Sequence, residues 1–300
     1  MSSIPSVPSF FPIMQTYIFN INFAIIILGF FGNIFNILIF KKLTIFRNNP
    51  SSYYLTIESI FNNIMLATYF SGQILTKIYL KDVANISLAW CKIRTFYVPS
   101  CRLTATYIIC FEAIDQFLST HYQFHIRQKS TIRLARYLVW SSCIIWFLQS
   151  IPYAIFSEIV SGVGCTIVNQ ILLNYYSYFY FMFLLQIFPI LVSSLFSLLA
   201  YQNVRRLVRL QNPIHRRKLD QQLTAMIFIR VIAFTVLLIP NACFRVYLTT
   251  INKNSVYFVG GVYQVVVLLS EWFTMWIYGV SNHHLLMLIN EILSFDFFNR

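Results

Sequence analysis

The stretch "WCKIRTFYVPSCRLTATYIICFEAIDQFLST", residues 90–120, decides the fold that we predict for this chain. It is largely apolar, with Cys91 near one end and two carboxylates, Glu112 and Asp115, near the other. Cys91 and Asp115 are 24 residues apart, which is about 36 Å along an α-helix and enough to cross the ~30 Å core of a bilayer. The stretch therefore predicts a membrane-spanning helix with two acids at one end.

The composition extends this prediction to the whole chain. Of its 300 residues, 58% are hydrophobic and 10% are charged, whereas a soluble domain carries about 25% charged residues. A helix needs roughly 20 apolar residues to span a bilayer, and seven blocks are long enough. They are approximately residues 17–40, 52–76, 93–118, 137–156, 175–201, 223–248 and 256–280. We expect an all-α membrane protein with seven spans over residues 17–280, after a tail of residues 1–16.

The net charge of +13 is distributed in a way that predicts the orientation in the membrane. Most of the cations follow the first, third and fifth spans: Lys41, Lys42, Arg47, Arg127, Lys129, Arg133, Arg136, Arg205, Arg206, Arg209, Arg216, Arg217 and Lys218. Lys and Arg concentrate in cytoplasmic loops, so we expect a multi-pass plasma-membrane protein with its N-terminus outside. Membrane lipid is an expected partner of these loops, and nucleic acid is not.

Two cysteines and one asparagine mark the predicted outer side. Cys91 and Cys165 fall in outward-facing segments, where conditions are oxidising, and we expect a disulfide between them. The remaining cysteines, Cys101, Cys110, Cys143 and Cys243, lie within the predicted spans. The sequence Asn85-Ile86-Ser87 is a glycosylation acceptor pattern on the same outer side, so Asn85 is a candidate glycosylation site.

Several motifs occur in the order typical of one receptor family. They are Gly32-Asn33 in the first span, Asp115-Gln116-Phe117 at the inner end of the third, Trp146 and Pro152 in the fourth, Pro189 in the fifth, and Phe234 and Pro240 in the sixth. In order, spacing and orientation the chain resembles a divergent rhodopsin-like (class A) G-protein-coupled receptor. The resemblance implies a seven-transmembrane helix bundle, an extracellular ligand, a heterotrimeric G protein as partner, no cofactor and no enzymatic activity.

The resemblance also concerns the last 20 residues. An apolar stripe at helical spacing follows Asn282 and comprises Leu285, Leu288, Ile289, Ile292 and Leu293. Such a stripe suits a helix lying on a membrane surface. Residues 281–300 therefore resemble the short amphipathic eighth helix of that family, on the cytoplasmic side, followed by the C-terminus.

The chain departs from the family pattern at several positions. Gln116 stands where the family has arginine, Asn62 where it has aspartate, Leu238 where it has tryptophan, and Thr274 and Met275 replace the Asn-Pro that precedes Tyr278. Because the arginine belongs to the switch that the family uses, Gln116 keeps a second interpretation open. In that interpretation the chain is an atypical receptor that binds ligand without activating G proteins.

Charged residues inside predicted spans identify a candidate switch at the cytoplasmic end. An ionisable group within a membrane costs about 2.5–3.5 kcal/mol on insertion scales and is usually paired or functional. Arg230 is predicted at a depth from which it could form an ion pair with Glu112 or Glu58. It would then take over part of the role of the missing arginine. The alternative is a static buried pair that only fixes the packing. The resemblance adds Asp115, Gln116, Phe117, Asp220, Phe234, Pro240 and Tyr278 to the switch and coupling residues.

A polar pair deeper in the predicted bundle is a candidate ion or proton site. Asn62 is neutral where the family has an acid, and Glu271 supplies a carboxylate from the seventh span. The pair could bind Na⁺ or a proton. The alternative is a neutral Glu271 that is hydrogen-bonded within the bundle, which burial also favours.

Two arginines on the predicted outer side indicate the chemistry of the ligand. Arg102 lies 11 residues after Cys91, about 16 Å down the third helix, and Arg245 lies near the top of the sixth. By resemblance both positions face the ligand cavity, with Gln73, Tyr263 and Gln264. Arginine binds carboxylate and phosphate, so an acidic ligand is expected. The alternatives are that Arg245 reaches water and that Arg102 binds backbone carbonyls.

Other classes of function fit the sequence less well. A transporter or channel could also contain charges within the membrane, but there is no internal repeat of the kind that many transporters have. An intramembrane enzyme would need a catalytic constellation, and the sequence contains neither His-Glu-x-x-His nor Gly-x-Ser-x-Gly. The receptor interpretation therefore has the most sequence support.

Overall fold

A computed structural model describes residues 29–38, 49–79, 83–161 and 164–210, together with the isolated positions 23, 26, 27, 40, 41 and 232. This part of the chain is mostly helical. Two of its helices, Ile132–Ile155 and Gln170–Arg206, are long and apolar enough to cross a membrane. The predicted spans at 223–248 and 256–280 and the helix within 281–300 lie outside the described residues apart from position 232, so the number of seven spans stays a prediction.

The elements follow one another along the chain with short connections. The helices are α1 (Gly29–Leu38), α2 (Pro50–Tyr79), α3 (Leu88–Thr120), α4 (Phe124–Arg127), α5 (Ile132–Ile155), α6 (Gln170–Asn174) and α7 (Phe188–Leu210), with a 3₁₀ turn at Val83–Asn85. Strands β1 (Ser157–Val160) and β2 (Gly164–Ile167) follow α5. A π-helical segment, Tyr175–Ile187, joins α6 to α7 in one continuous helix.

The helices extend several residues beyond the apolar blocks that predicted them. The first turns of α3, α5 and α6 are held by side-chain caps, because the first N–H groups of a helix have no partner within it. Ser87 caps α3, Thr131 caps α5 and Asn169 caps α6, each accepting a hydrogen bond from a backbone N–H of the first turn. Hydropathy marks only the part of a helix that is apolar, which explains why the predicted boundaries were too short.

Helix α3 lies at the centre of the described structure and packs against α2, α5 and α7. Most of its side chains between Pro99 and Gln116 are buried. The ring of Tyr107 lies 4.6 Å from that of Trp146 on α5 and 5.8 Å from that of Phe188 on α7, measured between centroids. The hydroxyl of Tyr180, in the π-helical segment, donates to the Pro99 carbonyl at 3.1 Å. Aromatic packing therefore joins α3 to α5 and α7.

Strands β1 and β2 form an antiparallel hairpin, a short β element between α5 and α6 that the sequence analysis did not predict. The pairing runs from Ser157 with Ile167 to Val160 with Gly164. Gly164 has a φ of +93°, which residues with a side chain rarely adopt. Three of the eight strand residues, Ile159, Val160 and Ile167, are β-branched hydrophobic residues that favour extended backbone. Ile167 also enters the aromatic core between α3, α5 and the π-helical segment.

A disulfide between Cys91 and Cys165 attaches this hairpin to α3, as the sequence led us to expect. The two Cα atoms are 5.8 Å apart and the residues are separated by 74 positions. Cys91 lies in the first turn of α3, and Cys165 is the second residue of β2. Cys101 and Cys110 are buried free thiols and Cys143 is a half-buried one, which also agrees with expectation.

Helices α5 and α7 present large apolar side chains on their exposed faces. On α5 the buried positions include Ala135, Ser142 and Ser150, whereas Trp140 is 64% exposed. Further exposed apolar residues on the two helices are Tyr137, Ile144, Ile145, Leu148, Ile155, Leu191, Leu195 and Leu198. Helices that face lipid often bury small and polar side chains against the protein and expose apolar ones.

We predict that Cys91→Ser lowers the stability of the folded chain. A disulfide that closes a long loop contributes about 2–5 kcal/mol, largely by restricting the unfolded chain. Thermal unfolding of the purified protein in detergent measures the loss, and Cys165→Ser should produce the same loss. Cys143→Ser, which removes a free thiol, is the matched control. Equal unfolding temperatures for Cys91→Ser and Cys143→Ser would contradict the prediction.

Candidate functional site

The carboxylate of Asp115, near the inner end of α3, is bound by a serine from the following loop. The hydroxyl of Ser130 donates to Asp115 Oδ1 at 2.7 Å. Asp115 is buried, and Ser130 lies immediately before Thr131, the residue that caps α5. A hydrogen bond to a charged group contributes more than one between neutral groups. This contact therefore holds the loop between α3 and α5 against the foot of α3.

The next residue, Gln116, connects α3 to α2. Its Nε2 donates to the hydroxyl of Ser51, in the first turn of α2, at 2.7 Å. Both residues are buried. The backbone carbonyl of Gln116 also accepts hydrogen bonds from the hydroxyls of Thr120 at 2.7 Å and Ser119 at 3.0 Å. Gln116, at the position where the resembled family has arginine, therefore makes a neutral buried contact between two helices.

Phe117 completes this end of α3. The centroid of its ring is 5.6 Å from that of Phe196 on α7 and 5.5 Å from that of His121, the residue at the end of α3. Three consecutive residues thus reach three different parts of the structure: Asp115 the loop before α5, Gln116 helix α2, and Phe117 helix α7. We call Asp115, Gln116 and Phe117, with their partners Ser51, Ser130 and Phe196, the inner cluster.

Further polar side chains lie between α2 and α3 at nearby depths. Glu112 is fully buried on α3, and Glu58 and Asn62 are buried on α2. Asn62 Nδ2 donates to Glu58 Oε1 at 3.4 Å, one helical turn away. The carboxylate that contacts Asn62 in the described structure is therefore that of Glu58, on the same helix. Arg230 and Glu271, the predicted partners of these groups, lie outside the described residues, and both pairings stay predictions.

On the predicted outer side, Arg102 contacts a tyrosine of α2. The guanidinium Nη2 of Arg102 donates to the hydroxyl of Tyr69. One residue earlier on α2, Thr68 accepts a hydrogen bond from the hydroxyl of Tyr97 at 2.8 Å. These contacts place the Arg102 side chain between α2 and α3. The expected ligand-binding role of Arg102 is neither demonstrated nor contradicted by them.

Asn85 supports the hairpin next to the disulfide. Its Oδ1 accepts a hydrogen bond from the backbone N–H of Cys165 at 2.8 Å, and a Cβ at Gly164 would collide with the Asn85 side chain. Ser87 of the same acceptor pattern caps α3. Asn85 is exposed, and its predicted glycosylation stays a prediction. The structure does assign both polar residues of the pattern a local structural role.

Several predicted site residues cannot be placed. The side chain of Gln73 lies outside the described part of the structure, although its backbone belongs to α2. The other predicted residues outside the described ranges are Asp220, Phe234, Pro240, Arg245, Tyr263, Gln264 and Tyr278. Among the residues that are described, no group of three or more His, Cys, Asp or Glu side chains could hold a metal ion.

No protein-family model matches the chain, and no curated protein matches it in sequence.

Sequence reasoning missed three residues of the inner cluster, Phe196 and the two serines Ser51 and Ser130. Ser51 belongs to a Ser-Ser pair at the start of a span, and Ser130 belongs to a polar loop. Serines are common in both places, so neither position carries a distinctive local signal. The signal that was available is chemical: a buried carboxylate and a buried amide need partners, and short hydroxyl side chains from adjacent loops can supply them.

We predict that Ser51→Ala destabilises the chain by about 1–3 kcal/mol, because a buried amide N–H of Gln116 loses its acceptor. Ser52→Ala is the matched control: Ser52 is also buried, and its hydroxyl has no hydrogen-bond partner among the described residues. Thermal unfolding of Ser51→Ala, Gln116→Leu and the double variant measures the coupling between the two side chains. A loss in Ser52→Ala as large as that in Ser51→Ala would count against the contact.

Proposed function

We propose that this chain is a cell-surface receptor of the rhodopsin-like class, which converts the binding of an extracellular acidic ligand into activation of a cytoplasmic heterotrimeric G protein. The observation that supports this most strongly is the environment of α3. One end of this helix carries the disulfide to the β1–β2 hairpin, and the other end carries the inner cluster. A helix packed against α2, α5 and α7 can transmit a change at one end to the other.

The proposed location is the plasma membrane, with several spans and the N-terminus outside. Support comes from the two helices that are long and apolar enough to cross a bilayer. The exposed apolar faces of α5 and α7 agree with contact to lipid. In this orientation the cationic loops after the first, third and fifth spans face the cytoplasm, and the Cys91–Cys165 disulfide faces the oxidising exterior.

The proposed ligand is acidic because a cation lies in the outer half of α3. Arg102 is half-buried, and its contact with the Tyr69 hydroxyl orients the guanidinium without neutralising its charge. The outer halves of α2 and α3 contain no aspartate or glutamate in their sequences. Arginine binds carboxylate and phosphate groups in a bidentate arrangement.

The inner cluster suggests how such a receptor would be held at rest without the usual arginine. Gln116 cannot form an ion pair, so the constraint would come from its hydrogen bond to Ser51 and from the Asp115–Ser130 contact. Activation would require these contacts to break and others to form. The same neutral residue supports the second candidate function, an atypical receptor that binds ligand without activating G proteins.

We expect Arg102→Ala to reduce the potency of an acidic ligand by about tenfold or more, because a charge-assisted hydrogen bond is lost. Arg102→Lys should retain part of the potency, since the charge remains but the bidentate geometry does not. Dose–response curves for G-protein dissociation in cells are the measurement. Lys92→Ala, at the outer end of the same helix, is the control. Unchanged potency in Arg102→Ala would remove the proposed ligand contact.

A screen of acidic metabolites and peptides against the wild-type chain and Gln116→Arg in parallel distinguishes the two candidate functions. We expect wild type to dissociate G proteins, since the inner cluster supplies breakable contacts between α3, α2 and the following loop. A response from Gln116→Arg alone would instead favour the atypical receptor, because ligand binding would then survive while coupling is lost. Surface expression of both proteins is measured in the same cells.

A further inference from the structure

The loop between α3 and α5 combines a basic sequence with an accessible position. This segment, which includes the short helix α4, ends with Arg127-Gln128-Lys129-Ser130 before the cap residue of α5. Arg127 therefore lies three residues before Ser130, and Lys129 lies one residue before Ser130. The side chains of Arg127, Gln128 and Lys129 are exposed, and Ser130 is half-buried. Arg133, in the first turn of α5, is exposed as well. Basic residues at these positions suit kinases whose acidic peptide grooves select cations before the acceptor hydroxyl.

The acceptor hydroxyl also takes part in the inner cluster. Ser130 Oγ donates to Asp115 Oδ1 at 2.7 Å. The backbone N–H of Ser130 donates to the Arg127 carbonyl at 3.3 Å, and that of Lys129 donates to the Ile126 carbonyl at 3.1 Å. The neighbouring Thr131 has a different role, because its hydroxyl accepts the Leu134 N–H and caps α5. Ser130 is therefore the residue at which the basic sequence and the contact to α3 coincide.

We propose that Ser130 is a phosphorylation site for a serine/threonine kinase that selects basic residues, and that the phosphate opens the contact between this loop and Asp115. The cytoplasmic position of the loop rests on the orientation proposed above. In the reaction, Ser130 Oγ attacks the γ-phosphorus of ATP and forms a new O–P bond. The bond to the bridging oxygen breaks, ADP leaves with the electron pair, and the hydroxyl proton passes to the general base of the kinase.

The modification removes the donor in the Asp115 contact and introduces charge of the same sign. The phosphate carries about −1.5 to −2 charge and three acceptor oxygens but no hydroxyl proton from serine. Held 2.7 Å from Asp115 Oδ1 in the unmodified structure, the Ser130 oxygen would bring this charge directly against a carboxylate. Separation of the loop from α3 follows from the repulsion.

The surroundings offer the phosphate a better position on the other side of the loop. Lys129 and Arg133 flank Ser130 in the sequence, and the N-terminus of α5 begins two residues later at Ile132. Phosphate groups are favoured near arginine and near the positive end of a helix dipole. The phosphorylated loop would therefore move from α3 towards the start of α5, and Asp115 would be released.

The Asp115 contact also controls access to the hydroxyl. Because Ser130 Oγ is the donor to a buried carboxylate, a kinase reaches it only when this contact is open. A substitution that weakens the contact should therefore accelerate the modification. The rate of phosphorylation would report how often the inner end of α3 releases the loop.

The test uses the full chain in lipid nanodiscs, which expose both faces of the membrane, with radiolabelled ATP and a purified kinase that selects arginine three residues before serine. Mass spectrometry locates the phosphate. We expect it on Ser130, with its loss in Ser130→Ala and a decrease of about tenfold in the initial rate in Arg127→Gln, because the kinase loses a charge-assisted contact. The matched control, Arg133→Gln, removes a cation that follows Ser130 in the sequence. Its initial rate should stay within about twofold of that of wild type, since exposed ion pairs contribute little.

Two variants of Asp115 test the proposed link to α3. Asp115→Ala should raise the initial rate by about tenfold, because the hydroxyl loses a charged acceptor, and Asp115→Asn should give a smaller increase because a neutral acceptor remains. Hydrogen exchange then compares the unmodified and phosphorylated wild-type chains. The Lys129 and Ser130 amides should lose protection in the phosphorylated chain.

Several results would overturn the proposal. The absence of phosphate on Ser130 in both wild type and Asp115→Ala would exclude the site, and equal rates for Arg127→Gln and Arg133→Gln would exclude the basic recognition. Unchanged rates in both Asp115 variants would exclude the link to α3. None of these measurements needs a ligand or a G protein, so a failed receptor assay leaves them interpretable.

Discussion

The burial of α3 is the constraint on which the rest of the described structure depends. A helix that packs against α2, α5 and α7 must satisfy its polar groups within the protein, because an unpaired buried polar group is expensive. At the inner end this requirement is met by two hydroxyl groups: that of Ser130 donates to Asp115, and that of Ser51 accepts from the Gln116 amide. The inner cluster is thus a consequence of placing two polar residues on the most buried helix.

The outer end of α3 is constrained by covalent and local interactions. The disulfide to Cys165 fixes the hairpin, and Asn85 adds a hydrogen bond to the backbone of the same cysteine. Gly164 is required there for two reasons, since its φ is positive and a side chain would strike Asn85. The hairpin in turn places Ile167 in the aromatic core between α3, α5 and the π-helical segment. Changes at the hairpin are therefore connected to the helix that carries the inner cluster.

Much of the described fold could be predicted from the sequence, and less of the site. The apolar blocks at 52–76, 93–118 and 175–201 lie within α2, α3 and the helix from α6 to α7, and the block at 137–156 lies within α5 except for its last residue. The Cys91–Cys165 disulfide was also predictable. Of the cysteines in the sequence, these two fall in segments predicted to face the oxidising exterior, and the others fall within predicted spans. The hairpin was missed, since eight strand residues between two long helices produce a weak local pattern. Asp115, Gln116 and Phe117 were identified, but Ser51, Ser130 and Phe196 were not.

The sequence by itself determined that the chain contains helices long and apolar enough to cross a membrane, the approximate positions of the described long helices along the chain, and the residues that put polar chemistry on α3. These properties depend on hydropathy and on helical spacing, which are local. The tertiary structure alone decided which groups meet. Gln116 and Ser51 are 65 positions apart, and Asn85 and Cys165 are 80 apart. Such contacts depend on how each helix is rotated and packed against its neighbours, and a serine that joins two helices looks locally like any other serine.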